Sequence, residues 1–218
     1  MRIRLVFLLL LAMCGCSASE QSKPIAAYDR SSPSATFSVY RLGIETNEFL
    51  QVVQSSSHQQ KRFMLFETLF AGGMAPVAEK NAIDKLLLAN GVELDKLDSE
   101  LGEADDLVTV VERKIDELDQ FLADAQSILA SDNKPSILPE IKNVEIDGER
   151  AIVTFRFNLD MYRTDAGDYT AEEVVSVHEQ NMFMRRYGVD WLICPEEEWQ
   201  DASFKWTVPN YHKSQDNH

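Results

Sequence analysis

Residues 144–157 read Val144-Glu145-Ile146-Asp147-Gly148-Glu149-Arg150-Ala151-Ile152-Val153-Thr154-Phe155-Arg156-Phe157. Two runs rich in β-branched and aromatic residues flank Asp147-Gly148, a dipeptide suited to a short hairpin because glycine accepts positive φ without steric cost. In the second run Ala151, Val153, Phe155 and Phe157 share one face, the period-two pattern of a strand with one side buried. The stretch therefore predicts an antiparallel hairpin. Further on, a polar loop spans 159–168 around Gly167, and Val174 to Tyr187 is largely strand-like. Gly188-Val189-Asp190 then turns the chain into Trp191-Leu192-Ile193-Cys194. The last third thus reads as an antiparallel meander of at least four strands.

Upstream, the hydrophobic period lengthens. Thr36-Phe37-Ser38-Val39-Tyr40 suggests a short strand, and Phe49, Leu50, Val52 and Val53 a short helix. Ser57 with Gln60 fits a capping box, in which the serine accepts from the N3 amide and the glutamine reaches back. It opens a helix carrying Phe63, Leu65, Phe66, Leu69 and Phe70, which Gly72-Gly73 should break. Pro76 suits the first turn of the next helix, with Ile83, Leu86 and Leu87 inside and Asn90-Gly91 as its C-cap. From Leu94 to Leu129 apolar residues recur every three or four positions, a narrow helical seam set among acids. Gly102 marks a break, and one long helix is expected from about 104 to 130. Its seam could meet a partner in a coiled coil or pack internally, and the need of the other helices for a surface to cover favours internal packing. Helices followed by strands indicate an α+β domain, with N-terminal helices packed on the C-terminal meander.

The chain opens Met1-Arg2-Ile3-Arg4, and Leu5 to Met13 is an unbroken apolar run. A cationic start, a short apolar core and small residues next to a cysteine are the parts of a secretory signal peptide. The run is shorter than the roughly 20 residues that span a bilayer. Leu11-Ala12-Met13-Cys14-Gly15-Cys16 resembles the lipobox of bacterial lipoproteins, an aliphatic residue and two small residues before cysteine. Cys14 follows Met13, where a small residue is wanted, whereas Cys16 follows Gly15, so Cys16 is the expected lipidation site. The resemblance implies cleavage of residues 1–15, diacylation of the Cys16 thiol and often a third chain on its amino group. Two or three acyl chains anchor stably where one does not. Ser17 follows in place of the aspartate that favours inner-membrane retention, which implies an outer-membrane position facing the periplasm. Residues 16–35 then read as the lipidated cysteine and a flexible tether, rich in serine and alanine, reaching at most about 65 Å. Residues 36–210 form a single α+β domain, and 211–218 a disordered tail.

Removing residues 1–15 takes away Arg2 and Arg4 but no acid, which moves the formal charge from −15 to −17. Nucleic acid is excluded as a partner, because its binding needs basic residues to neutralise phosphate. The same charge would steer a basic protein partner towards the chain. With Cys16 acylated, only Cys194 remains, so an internal disulfide is ruled out. Cys194 lies in an apolar run and reads as a small buried hydrophobe.

The helices followed by a meander closing in Tyr187-Gly188-Val189-Asp190-Trp191-Leu192-Ile193 resemble the nuclear transport factor two-like superfamily, over residues 140–195. That resemblance implies a cone-shaped α+β fold, shared by ketosteroid isomerase-type enzymes and many non-catalytic binding domains. No catalytic Asp or Tyr of that superfamily has a matching position here.

Direct searches for chemistry name no catalytic, cofactor-binding or metal residue. His178-Glu179 begins like a zinc-protease motif but lacks the second histidine four residues on. Asp160, Arg163, Asp165 and Asp168 crowd one loop without the spacing of an EF-hand. His58 stands alone, and His212 and His218 lie in the tail. Three readings of function follow. The first is a lipid-anchored, non-catalytic binding domain for a protein or small apolar ligand. The second is a periplasmic immunity-type protein that neutralises a toxin, and the third an enzyme using a cone-shaped pocket.

Overall fold

The structure, a computed structural model, describes residues 28–93, 96, 106–130, 139–157 and 179–208. Among them are seven helices and one four-stranded antiparallel sheet. The helices are α1 (Pro33–Thr46), α2 (Phe49–Gln54), α3 (His58–Met74), α4 (Val77–Ala89), α5 (Leu107–Lys114), α6 (Leu118–Leu129) and α7 (Glu196–Gln200). The strands are β1 (Pro139–Asp147), β2 (Arg150–Phe157), β3 (Glu179–Tyr187) and β4 (Asp190–Ile193), adjacent in that order. The expected α+β class, with N-terminal helices and a four-stranded meander, is what the chain forms.

Both tight hairpins follow from their glycines. Asp147 pairs with Arg150 and Tyr187 with Asp190, which leaves the two-residue loops Gly148-Glu149 and Gly188-Val189. Each loop begins with a glycine at positive φ, 61° and 63°, and continues with a residue at negative φ. That is the type II′ pattern, whose twist matches the flanking strands. The register places Ala151 opposite Met184 and Val153 opposite Met182. With Phe155, Trp191 and Ile193 these form the sheet's buried inner face.

Helix α1 covers that face, contrary to the short strand expected at 36–40. Ser32 caps the helix by accepting from the Ala35 amide at 3.2 Å, and Pro33 occupies the first turn. Phe37, Tyr40 and Ile44 then fall on one helical side, and the Phe37 ring lies 5.4 Å from that of Phe155. The apolar residues that read as period two serve equally at a spacing of three and four, and the Ser-Pro start decides between them. The packed body also begins before residue 36, the expected start of the domain. The Arg30 carbonyl accepts from the Trp191 amide at 2.8 Å, and its guanidinium donates to the Gln54 carbonyl at 2.6 Å.

The single long helix expected over 104–130 is instead two. Asp106 caps α5 through the Thr109 amide at 2.7 Å. The helix ends at Ile115, whose backbone is extended (φ −92°, ψ 111°) while its side chain stays in the core. A straight helix of that length would run about 40 Å, past the surfaces it has to cover. The break lets α5 pack on α3 while α6 packs on α2, α3 and α4. The seam is thereby buried internally at Val108, Val111, Ile115, Leu122 and Ala125. Gly72 and Gly73 do not break α3, which continues to Met74. Asn90 and Gly91 do end α4, Gly91 at φ +75°. Strand β4 does not leave a bare edge. The Ile193 amide donates to the Ser55 carbonyl at 2.8 Å, and the Ser57 amide to the Ile193 carbonyl at 2.7 Å, so the serine triplet forms a short parallel bridge there.

Candidate functional site

The described residues enclose a cleft of about 450 Å³ where the segment before α1, the end of α2 and the start of β4 meet. The size falls within the range of small-molecule pockets. Most of its lining residues are polar or charged, though the surface they offer is more apolar than polar, and two ion pairs stand on it. Arg30 Nη2 lies 3.2 Å from Asp190 Oδ2, and Lys61 Nζ lies 2.6 Å from Asp119 Oδ1. Each cation comes from a different part of the chain than its acid, so the helices and sheet must be assembled before either pair exists. Tyr28, Val39 and Leu192 supply the less polar wall.

Two side-chain atoms of lining residues, Gln51 Oε1 and Arg30 Nε, are buried without a hydrogen-bond partner. Gln51 is 3% exposed and lies in a helix otherwise apolar through Val53, Phe-Leu-Gln-Val-Val-Gln. Its backbone carbonyl is used by the Ser55 hydroxyl at 2.8 Å, which leaves the side-chain acceptor alone. An unfilled buried acceptor is costly, and this one is closed off from the solvent of the cleft.

A second polar cluster is structural. The Ser57 hydroxyl donates to Glu198 Oε2 at 2.5 Å, and the Tyr187 hydroxyl donates to Glu198 Oε1. Ser57 accepts in turn from the Gln60 amide at 3.2 Å, the first half of the expected capping box. The second half is replaced, because the Ser57 amide goes to Ile193 rather than to Gln60. Burial, and then the bond to Glu198, push the Tyr187 phenol upward. Ser57 is 1% exposed and Glu198 5%, whereas Tyr187 is 40% exposed, so the group fastens α7 to α3 and β3 from the core out to the surface. A serine facing a carboxylate without an intervening imidazole also lacks the base that activates a hydroxyl.

Cys194 is a free thiol, buried as expected, and burial is the main cause that pushes its pKa up. His58 Nε2 lies 3.3 Å from Glu112 Oε1 at the α3–α5 contact. Cys16, His178, His212, His218 and the loop with Asp160, Arg163, Asp165 and Asp168 lie outside the described residues. Among the described residues there is no group of three His, Cys, Asp or Glu side chains able to hold a metal ion. The same residues contain no helix long and apolar enough to cross a membrane. The inner face of the sheet is filled by Phe37, Phe155, Met184 and Trp191, so the cleft lies at a seam between elements rather than under the sheet.

No protein-family model, curated protein or solved structure matches this chain. Sequence reasoning did not single out Arg30, Gln51, Lys61, Asp119 or Asp190. The one signal was Gln51 itself, a polar residue inside an apolar helical run.

Proposed function

We propose that this protein is a cell-envelope lipoprotein, anchored through Cys16 with its body in the periplasm, and that the body is a non-catalytic binding module. The observation that carries the binding role is the cleft: a formed cavity with two ion pairs in place on its wall. Its wall mixes charged pairs with apolar surface, which suits a ligand that has both polar and apolar parts. Its position at a seam, away from the packed inner face of the sheet, favours binding over chemistry in a cone-shaped pocket. The anchor rests on the leader residues and on Gly15 before Cys16.

Labelling of cells with an alkynyl fatty acid tests the anchor. Wild type and Cys14→Ser should incorporate the label, and Cys16→Ser should lose it and become soluble. Label lost in Cys14→Ser alone would move the anchor, and label in none would remove it. A second reading, an immunity-type protein against a periplasmic toxin, draws on the mature charge of −17. Deletion should then sensitise cells to toxin-bearing neighbours, and indifference would end that reading.

A further inference from the structure

Strand β1 is the open edge of the sheet. Among the described residues it pairs with β2 alone, so the backbone groups along its other side face no strand. An edge of nine residues is a template for further pairing. Charged side chains commonly blunt such an edge, and β1 carries Glu140, Lys142, Glu145 and Asp147. Here they are committed within their own sheet. Lys142 falls at the register shift and reaches across β2 to Glu179. Glu145 accepts from Asn143 at 2.9 Å, Asp147 pairs with Arg150 at 2.6 Å, and Glu140 stands opposite Arg156. The edge is left to its backbone and to an apolar row.

That row is Ile141, Val144 and Ile146, which lie opposite Phe155, Val153 and Ala151 and so share their inner face. Ile141 is 39% exposed and Ile146 58%, so the helices that cover β2 leave much of this strip bare. The shift at Lys142 makes the row symmetric. Ile141 stands two ladder positions before Val144, by way of Asn143, and Ile146 two positions after it, by way of Glu145. The inner face of the strand therefore reads the same in both directions. We propose that a second copy of this chain adds its β1 antiparallel to the first, about a two-fold axis at Val144. Val144 then meets its own counterpart, and Ile141 meets the partner's Ile146 on either side of the axis. Asn143 meets the partner's Glu145 and can donate to it as it does within its own strand. Glu140 meets the partner's Asp147 only at the two ends, where Arg156 and Arg150 offset the like charges. Such an isologous contact closes on itself and makes the two sheets continuous. An unrelated extended peptide could use the same backbone edge but would not share the spacing of the row.

Sedimentation velocity tests this on the chain from residue 16 onward with Cys16→Ser, which holds every described residue. Dimer should form as concentration rises from micromolar to millimolar. Ile146→Lys and Ile141→Glu should each weaken association at least tenfold with the thermal midpoint little changed, because both positions are exposed in the single chain. The double variant Ile141→Glu/Ile146→Lys should restore association, since each new carboxylate then faces a new ammonium across the axis. Ile146→Ser should act in the direction of Ile146→Lys and stands in should that variant fold poorly. Added salt should tighten the dimer, because two acidic chains repel and salt screens the repulsion. A chain that stays monomeric throughout that range would overturn the proposal. So would a dimer indifferent to Ile146→Lys, a double variant as weak as the single ones, or association that loosens with salt.

Discussion

Glu67 lies partly buried on α3, and burial pushes its carboxyl from the ordinary 4.5 up to about 7. It also helps burial raise the phenol of Tyr40. A carboxyl whose native value lies above its unfolded value holds its proton more tightly when folded. Its stabilising contribution is full below about 4.5 and is lost as pH rises to about 7. Glu67→Gln should therefore flatten the urea midpoint across that window. At pH 8 it should be more stable than wild type by about 1–3 kcal/mol. A variant less stable than wild type at pH 8 would mean that the carboxylate has a favourable partner. At Cys194 the buried, upward-shifted thiol should resist a thiol reagent at pH 8 until denaturant is added, because the thiolate is the reactive form. Reaction in the native protein at the rate of a free thiol would contradict its burial.

At the scale of elements, close approach and charge fix how the helices meet. A Cβ on Gly43 would stand 2.9 Å from Val52 Cγ2 and 3.0 Å from the Glu48 carbonyl, where α1 crosses α2. Gly43→Ala gains helix propensity of about 1 kcal/mol, but the backbone carbonyl cannot yield cheaply. The net effect should be a loss of about 1–2 kcal/mol in chemical denaturation. A stabilised variant would show that the crossing is looser than it is drawn. Arg62 ties three elements together. It donates to the Trp206 carbonyl at 3.2 Å and the Thr109 hydroxyl at 2.9 Å, and pairs with Glu112 and Asp106. Its side chain is 11% exposed, so Arg62→Ala removes the cation that balances Asp106 and Glu112 and should cost about 3 kcal/mol. Arg62→Lys should recover little of this, having no planar fork to span the same partners. Full rescue by lysine would reduce the contact to simple charge.

At the scale of the whole molecule, one core joins helices and sheet. Phe37, Leu65, Leu87, Val108, Leu122 and Met184 belong to the same buried cluster. A core shared in this way should unfold in one step. Thermal melts followed by tryptophan fluorescence and by far-ultraviolet circular dichroism should coincide. Separate midpoints would divide the helices from the meander. The sheet's two long edges differ. β4 is closed by the Ser55–Ser57 bridge, whereas β1 leaves Ile141 and Ile146 exposed at positions opposite the buried Phe155 and Ala151.

The sequence by itself determined the elements whose signals are local. Gly148 and Gly188 mark hairpins because a two-residue loop needs positive φ. Asn90-Gly91 ends a helix for the same reason, and alternation in 151–155 assigns the inner face of β2. The α+β order follows from the change of period alone. Tertiary structure decided what local pattern leaves open. Thr36 to Tyr40 fits strand or helix, and the inner face of the sheet needed a helix to cover it. The seam from 108 to 129 fits one helix or two, and the size of the core required a break at Ile115. The cleft was the least legible of all. Arg30, Gln51, Lys61, Asp119 and Asp190 lie far apart along the chain, and only the meeting of the segment before α1 with α2, α3, α6 and β4 brings them to one cleft.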